Sequence, residues 1–181
     1  MLEEHLQFDI ITFDDALYSQ YYYADHFLNL GCRCIVFVST AIVSKGGPQL
    51  LDISCVEAHR LAKSHGDCSP YMTIDQIKDL HHRGMEIGLH GHTHEWIEDQ
   101  APGKTMRGMT EAFTSLREMQ RWGIEPKSMA YPYNRPNDGY NILRGYRKDF
   151  EFFGDERIPI EQFYKGPTQE CQDRSICCPM L

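Results

Sequence analysis

The run Cys34-Ile35-Val36-Phe37-Val38 contains no polar side chain. Five residues are too few for a self-supporting helix, and a strand that is apolar at every position has two faces to cover. Such a strand belongs inside a parallel sheet with helices packed on it. Its neighbours agree. Phe8–Phe13 is a second apolar, β-branched run. Leu17–Leu30 lies between the two, with Tyr22, His26 and Leu30, or Tyr23, Phe27 and Leu30, at helix-face spacing and Gly31 as a natural stop. A strand, helix, strand order of this kind predicts parallel pairing and an α/β fold.

The alternation continues along the chain. Residues 42–71 are irregular, punctuated by Gly46-Gly47-Pro48 and Ser69-Pro70, with a short helix expected over Leu51–Lys63. An insertion of this length beside strand ends is a candidate wall for a substrate cleft. Thr73-Ile-Asp-Gln76 has capping-box spacing and opens a helix to Arg83, stopped by Gly84. Met85–Leu89 reads as a strand, Met109–Trp122 as a helix and Ser128–Tyr131 as a strand. Tyr140–Tyr146 follows as a helix, then Phe150–Phe153 and Arg157–Ile160 as strands. One domain is expected over residues 1–170, followed by an irregular tail over 171–181.

Composition narrows the partners. The 181 residues carry 18 Lys+Arg against 26 Asp+Glu, a formal net charge of −8, with no cationic stripe, so neither nucleic acid nor an anionic membrane surface is expected as a partner. No stretch reaches the ~18 apolar residues of a membrane span. The acidic N-terminus lacks the pattern of a secretory signal, and seven cysteines form no regular framework, which together predict a cytoplasmic protein.

Chemistry concentrates at strand ends. Thr12-Phe13-Asp14-Asp15 closes the first strand, and His90-Gly91-His92-Thr93-His94 closes the third. Polar residues at the C-terminal ends of strands are the usual site of chemistry in alternating α/β proteins. Two imidazoles and one carboxylate make an N,N,O ligand set for zinc or a similar divalent ion, leaving one coordination position open. His90 and His94 can share a face, with Gly91 giving the backbone room to turn, and His92 is a further ligand or supporting candidate. On an extended backbone Asp14 and Asp15 point to opposite sides and do different jobs. Tyr131-Pro132-Tyr133-Asn134 closes a further strand, and a backbone N–H after the proline can donate to a developing oxyanion. His81 and His82 suit a helix C-terminus, His26 a helix face, and His59 and His65 are weaker candidates for the cleft. Cys171, Cys177 and Cys178 read as reduced thiols.

These motifs resemble those of the polysaccharide deacetylases, the carbohydrate esterases with a nodulation-protein-type domain. The family's Thr-Phe-Asp-Asp followed by a small residue is matched by Thr12–Ala16. Its Glu-Ile-Gly-x-His-x-x-x-His is matched by Glu86–His94, and its x-Pro-Tyr turn by Ala130-Tyr131-Pro132-Tyr133. The resemblance implies a distorted (β/α) barrel with mostly parallel strands, here incomplete because the chain is short. It also implies metal-dependent removal of acetyl groups, chiefly N-acetyl, from a sugar or polysaccharide precursor such as that of a lipopolysaccharide. By the same resemblance Asp15, His90 and His94 hold one divalent ion, with zinc expected before cobalt, manganese or nickel. Asp14 is the general base acting on metal-activated water, and the Tyr133 N–H helps hold the oxyanion. Arg135, Tyr131 and His92 are candidates for supporting or substrate contacts.

Two departures stand out. The position two residues before the motif proline, often arginine in the family, is Ala130, for which Arg135 or Arg157 can substitute in space. No histidine follows His94, where many members carry a late general acid. A non-catalytic glycan-binding relative is therefore one alternative. Another is a different His-x-His metallohydrolase of the amidohydrolase type, in which the motif lies on the first strand.

Overall fold

The structure is a computed structural model that describes residues 10–98, 102–154, 158–159 and 176–177. Among the described residues, seven strands form one parallel sheet: β1 (Ile10–Phe13), β2 (Arg33–Val38), β3 (Glu86–Leu89), β4 (Ser128–Ala130), β5 (Glu151–Phe153), β6 (Ile158–Pro159) and β7 (Ile176–Cys177). Their spatial order is β5-β4-β3-β2-β1-β7-β6. Strands β1 to β5 lie side by side in chain order, as successive right-handed strand–helix units require. The sheet curls into a half-barrel that no pairing closes among the described residues. This is the distorted, incomplete (β/α) barrel expected from the sequence.

Alternation along each strand assigns the two faces. Cys34, Val36 and Val38 of β2 join Ile11, Phe13, Ile87 and Leu89 in the main core under the helices. Ile35 and Phe37 point the other way, into a smaller cluster with Ala130, Phe153 and Ile10 that fills the barrel interior. Gly88 is required there: a Cβ would stand 2.5 Å from the Phe37 ring and 2.7 Å from Ser128 Oγ. At the N-terminal end of the strands the Arg33 guanidinium bridges Glu86 at 2.6 Å and Glu151 at 2.7 Å. Glu86 of the histidine motif is thus a buttress remote from the motif's polar end.

Six α-helices accompany the sheet among the described residues: α1 (Tyr18–Tyr22), α2 (Ala24–Leu28), α3 (Cys55–His65), α4 (Ile74–His82), α5 (Lys104–Arg121) and α6 (Asp138–Tyr146). The continuous helix expected over Leu17–Leu30 is in fact two, parted at Tyr23, whose φ of −97° and ψ of 8° are not helical. The break lets α1 bury Ser19 and Gln20 under the end of β1 while α2 sets Ala24 and Phe27 into the main core. Helix α4 opens with both reciprocal bonds of the Thr73/Gln76 capping box. Helix α5 starts one turn earlier than its pattern suggests, at Gly103, whose φ is +69°. The strand Ile176–Cys177 falls within the segment read as an irregular tail and pairs with β1. His5, Arg157, Cys171 and Cys178 lie outside the described residues. No described helix is long and apolar enough to cross a membrane.

Candidate active site

Both motifs end in backbone turns that sequence alone does not reveal. After β1 the chain enters the left-handed region at Asp15 (φ 74°) and Ala16 (φ 56°); after β3 it does so at Gly91 (φ 74°) and His94 (φ 52°). Non-glycine residues there carry about 1–2 kcal/mol of strain each, which persists only where surrounding contacts fix them. The turn at Asp15 corrects one expectation. Asp14 and Asp15 do not diverge as on an extended strand; both carboxylates line the same cleft. They differ in depth, the Asp14 side chain being 21% exposed and that of Asp15 only 7%.

Asp15, His90 and His94 converge. Asp15 Oδ1 lies 3.5 Å from His90 Nε2 and 3.2 Å from His94 Nε2, and the two Nε2 atoms are 3.2 Å apart. All three residues are buried, and one ligand atom from each falls within 4.8 Å of the others. Asp15 Oδ1 receives no hydrogen bond. His90 Nδ1 lies 2.9 Å from the Ala130 carbonyl, which can only accept, so Nδ1 carries the proton and Nε2 presents its lone pair to the cluster. Burial, reinforced by His90 and His59, holds the His94 imidazolium far below the usual range, so this ring is neutral. A buried carboxylate oxygen without a donor, facing two imidazole nitrogens, is a donor set that fits a small divalent cation.

Asp14 stands at the edge of this group, with Oδ2 3.9 Å from His90 Nε2. Tyr133, after Pro132 in a short 3-10 turn, adopts φ 58°, and its ring lies tilted by 52° against that of His94, 4.5 Å centroid to centroid. The cleft, about 340 Å³, is lined by Asp14, Asp15, His59, His90, His94 and Tyr133 among others. A larger hollow of about 530 Å³ between α5 and α6 contains none of the motif side chains.

The other sequence candidates have different roles. The His92 Nδ1 pairs with Thr40 Oγ1 at 2.8 Å, and His92 is not among the residues lining the cleft. Tyr131 is buried against Tyr140 and Phe152, its hydroxyl bonded to Asn141, which makes it a core residue. Arg135 lies over the Trp96 ring, 4.3 Å from its centroid. Trp96 in turn meets Tyr133 edge to face at 5.0 Å, and both rings are partly exposed at the rim.

Four residues emerge that sequence reasoning underrated. Buried Glu111 of α5 accepts from the His92 and Thr93 backbone N–H groups at 2.8 and 2.7 Å and from Thr93 Oγ1 at 2.8 Å, pinning the histidine loop. Helix α3 carries Cys55, His59 and Lys63 at successive four-residue steps, so all three share one face. Cys55 Sγ donates to Asp15 Oδ2 at 2.8 Å, and Lys63 Nζ donates to the His94 carbonyl and to Tyr133 Oη, each at 2.9 Å. The four-residue spacing was the available signal. The insertion is a wall of the cleft, as expected.

Gly91 is fixed by its surroundings as well as by φ. A Cβ there would stand 3.0 Å from Tyr140 Oη, 3.1 Å from Glu111 Oε2 and 3.3 Å from Pro132 Cγ. Gly91→Ala is expected to cost about 2 kcal/mol, from left-handed strain plus crowding. Urea unfolding measures it, and an unshifted midpoint contradicts the expectation.

Comparison with known proteins places the chain in a family. Residues 9–147 match the polysaccharide deacetylase family model, well over half the chain, and the chain belongs to that family. Its fold is similar to that of the Streptococcus pyogenes deacetylase PplD, solved in complex with acetate (TM-score 0.59, 19% identity, 92% of this chain and 62% of that one). IcaB from Ammonifex degensii is similar too (TM-score 0.60, 17% identity, 95% and 66%). So is BA3943 of Bacillus anthracis, a CE4 family pseudoenzyme (TM-score 0.54, 9% identity, 97% and 57%). The chain spans less than two thirds of the length of each of these three. No curated protein matches it.

Proposed function

We propose that this chain is a metal-dependent deacetylase that hydrolyses acetyl groups, chiefly N-acetyl, on a sugar or polysaccharide precursor. The observation that carries this reading is the meeting of Asp15, His90 and His94 around one point, with the Asp14 carboxylate beside them in the same cleft. Asp15, His90 and His94 would hold a divalent ion, zinc before cobalt, manganese or nickel. When bound, such an ion polarises the acetyl carbonyl and makes water a nucleophile near neutral pH. Asp14 takes the proton from the attacking water, and the Tyr133 N–H donates to the oxygen that gains charge. As the carbon–nitrogen bond breaks, the protonated Asp14 returns its proton to the departing amine. The rim formed by Trp96, Tyr133 and Arg135 gives a sugar ring apolar faces to lie on and a cation beside them. Those ring faces suit an acetylated sugar or oligosaccharide.

The test is acetate release from acetylated sugars, nucleotide sugars and oligosaccharides, with metal analysis of the same sample. Release that stops on chelation and returns with zinc is the expected result. Full metal loading with no release from any of them would refute catalysis. A second reading, a cleft that binds acetylated glycans without cleaving them, is favoured by Ala130 in the position where many family members carry an arginine. Oligosaccharide binding in the metal-loaded protein without acetate release decides for it. The amidohydrolase-type alternative fits less well, because His90 follows the third strand of the sheet. A two-metal stoichiometry would revive it.

A further inference from the structure

The face that α3 turns to the cleft carries a ligand set of its own. Cys55 and His59 stand one helical turn apart, and both line the cleft beside Asp15. Cys55 Sγ lies 2.8 Å from Asp15 Oδ2 and 3.4 Å from His59 Nδ1, and His59 Nε2 lies 3.5 Å from Asp15 Oδ1. One ligand atom from each of the three residues falls within 4.8 Å of the others. His90 and His94 form a separate group with Asp15. The carboxylate is therefore common to two ligand sets, one on α3 and the other on the turn after β3.

Two buried atoms of the α3 group have no hydrogen-bond partner. Asp15 Oδ1 is one, on a side chain more than nine-tenths buried, and His59 Nε2 is the other. The proton on His59 can be placed. Its Nδ1 is 3.0 Å from the Cys55 carbonyl, which can only accept, so Nδ1–H donates and Nε2 keeps its lone pair. An imidazole tied by one nitrogen to a backbone carbonyl, with the other pointing at a carboxylate, is the arrangement seen in metal-ligating histidines. The Cys55 thiol donates to Oδ2. A divalent ion taking its place sends the thiol proton to solvent, and thiolate and carboxylate together then balance the charge of the ion in a buried place.

We infer that Asp15, Cys55 and His59 form a second metal position, separate from the one at His90 and His94 and suited to a softer, thiol-seeking ion. A thiolate selects soft ions, whereas imidazole and carboxylate ligands take harder ones as well. Asp15 is the one charged ligand of the neighbouring group, so an ion held by α3 competes with an ion held by His90 and His94. Neither Cys55 nor His59 belongs to any of the three sequence motifs. The inference goes beyond the deacetylase reading, with which it shares only Asp15.

Cadmium(II) titration of the metal-stripped full chain tests this, read by the near-ultraviolet thiolate-to-cadmium band and by competition with a chelator. The parent is expected to show a band that Cys55→Ser lacks, and that difference separates Cys55 from the other cysteines of the chain. Cys55→Ala serves in the same comparison if the serine variant does not fold. His59→Gln keeps the size of the side chain and should weaken the Cys55-dependent binding by about 10–100-fold or more, since a ligand counts for no less than the groups that orient it. His90→Ala removes a ligand of the neighbouring group alone, so the band should remain and cadmium be held at least as tightly. Circular dichroism confirms that each variant is folded. Equal bands in the parent and the Cys55 variants assign cadmium to other thiols and overturn the proposal. So does a His59→Gln variant with the parent's affinity, or a His90→Ala variant that loses the band. Zinc binding by Cys55→Ser reports on the His90 and His94 position by itself, and its absence counts against the deacetylase reading and not against the α3 site.

Discussion

Asp14→Asn should lower acetate release by a factor of about 10²–10⁴, the usual contribution of a positioned general base, with bound metal and melting temperature close to the parent's. The substitution keeps the shape of the side chain while removing its charge and its ability to take a proton. Asp14 lines the cleft 3.9 Å from His90 Nε2 and is the more exposed of the two carboxylates, so no large burial term accompanies the change. The neighbouring substitution, Asp15→Asn, should behave in the opposite order. It removes the charge from the one oxygen that faces the imidazoles, so metal is lost first and activity as a consequence. Measuring kcat and metal content on both variants separates the roles. If Asp14→Asn releases acetate at the parent's rate with its metal in place, another group takes the proton.

That two adjacent aspartates differ so sharply was partly legible in the sequence. The acidic pair at a strand end marks the position, and the apolar runs of β1, β2 and β3 disclose the parallel sheet that brings it near the histidines. The different depths of the two carboxylates, and the division of labour proposed for them, follow from Asp15 sitting at φ 74°, a backbone state that no pattern of side chains announces. The split of the first helix at Tyr23 has the same character. Tyr22, Tyr23 and Phe27 satisfy one helix or two equally well, and packing against β1 and the main core decides.

The cleft wall marks a second boundary of legibility. Cys55, His59 and Lys63 are polar residues at four-residue steps in a segment with weak periodicity, where a solvated helix face is the ordinary reading. What turns that face inward is the small cluster of Leu17, Ile42, Ala58 and Tyr71 beneath α3, drawn from four separate parts of the chain. Ala58 is the only fully buried residue of α3, so one small side chain sets the depth of the helix. Tertiary contacts of this kind connect residues whose relation the sequence does not display.

Glu111→Ala should be the most damaging single change outside the cleft. The Glu111 carboxylate, only 6% exposed, takes three hydrogen bonds from the segment between His90 and His94. Truncation leaves the His92 and Thr93 N–H groups without that acceptor and opens space beside Gly91. Bonds to a charged acceptor contribute about 1.5–3 kcal/mol each, but Thr93 is exposed and water can replace part of the loss. A net cost of about 3 kcal/mol follows, or a fall in melting temperature of roughly 6–12 °C for a chain of this size. The geometry of the loop also sets the distance between His90 and His94, so metal affinity should drop by about 10–100-fold, the usual effect of removing a group that orients ligands. Glu111→Gln keeps one acceptor oxygen and should fall between the parent and the alanine variant in both measurements. Calorimetry and metal competition report the two effects separately. An alanine variant that melts with the parent and holds metal as tightly would show that the turn at Gly91, with its contacts to Tyr140 and Pro132, positions the histidines without help from α5.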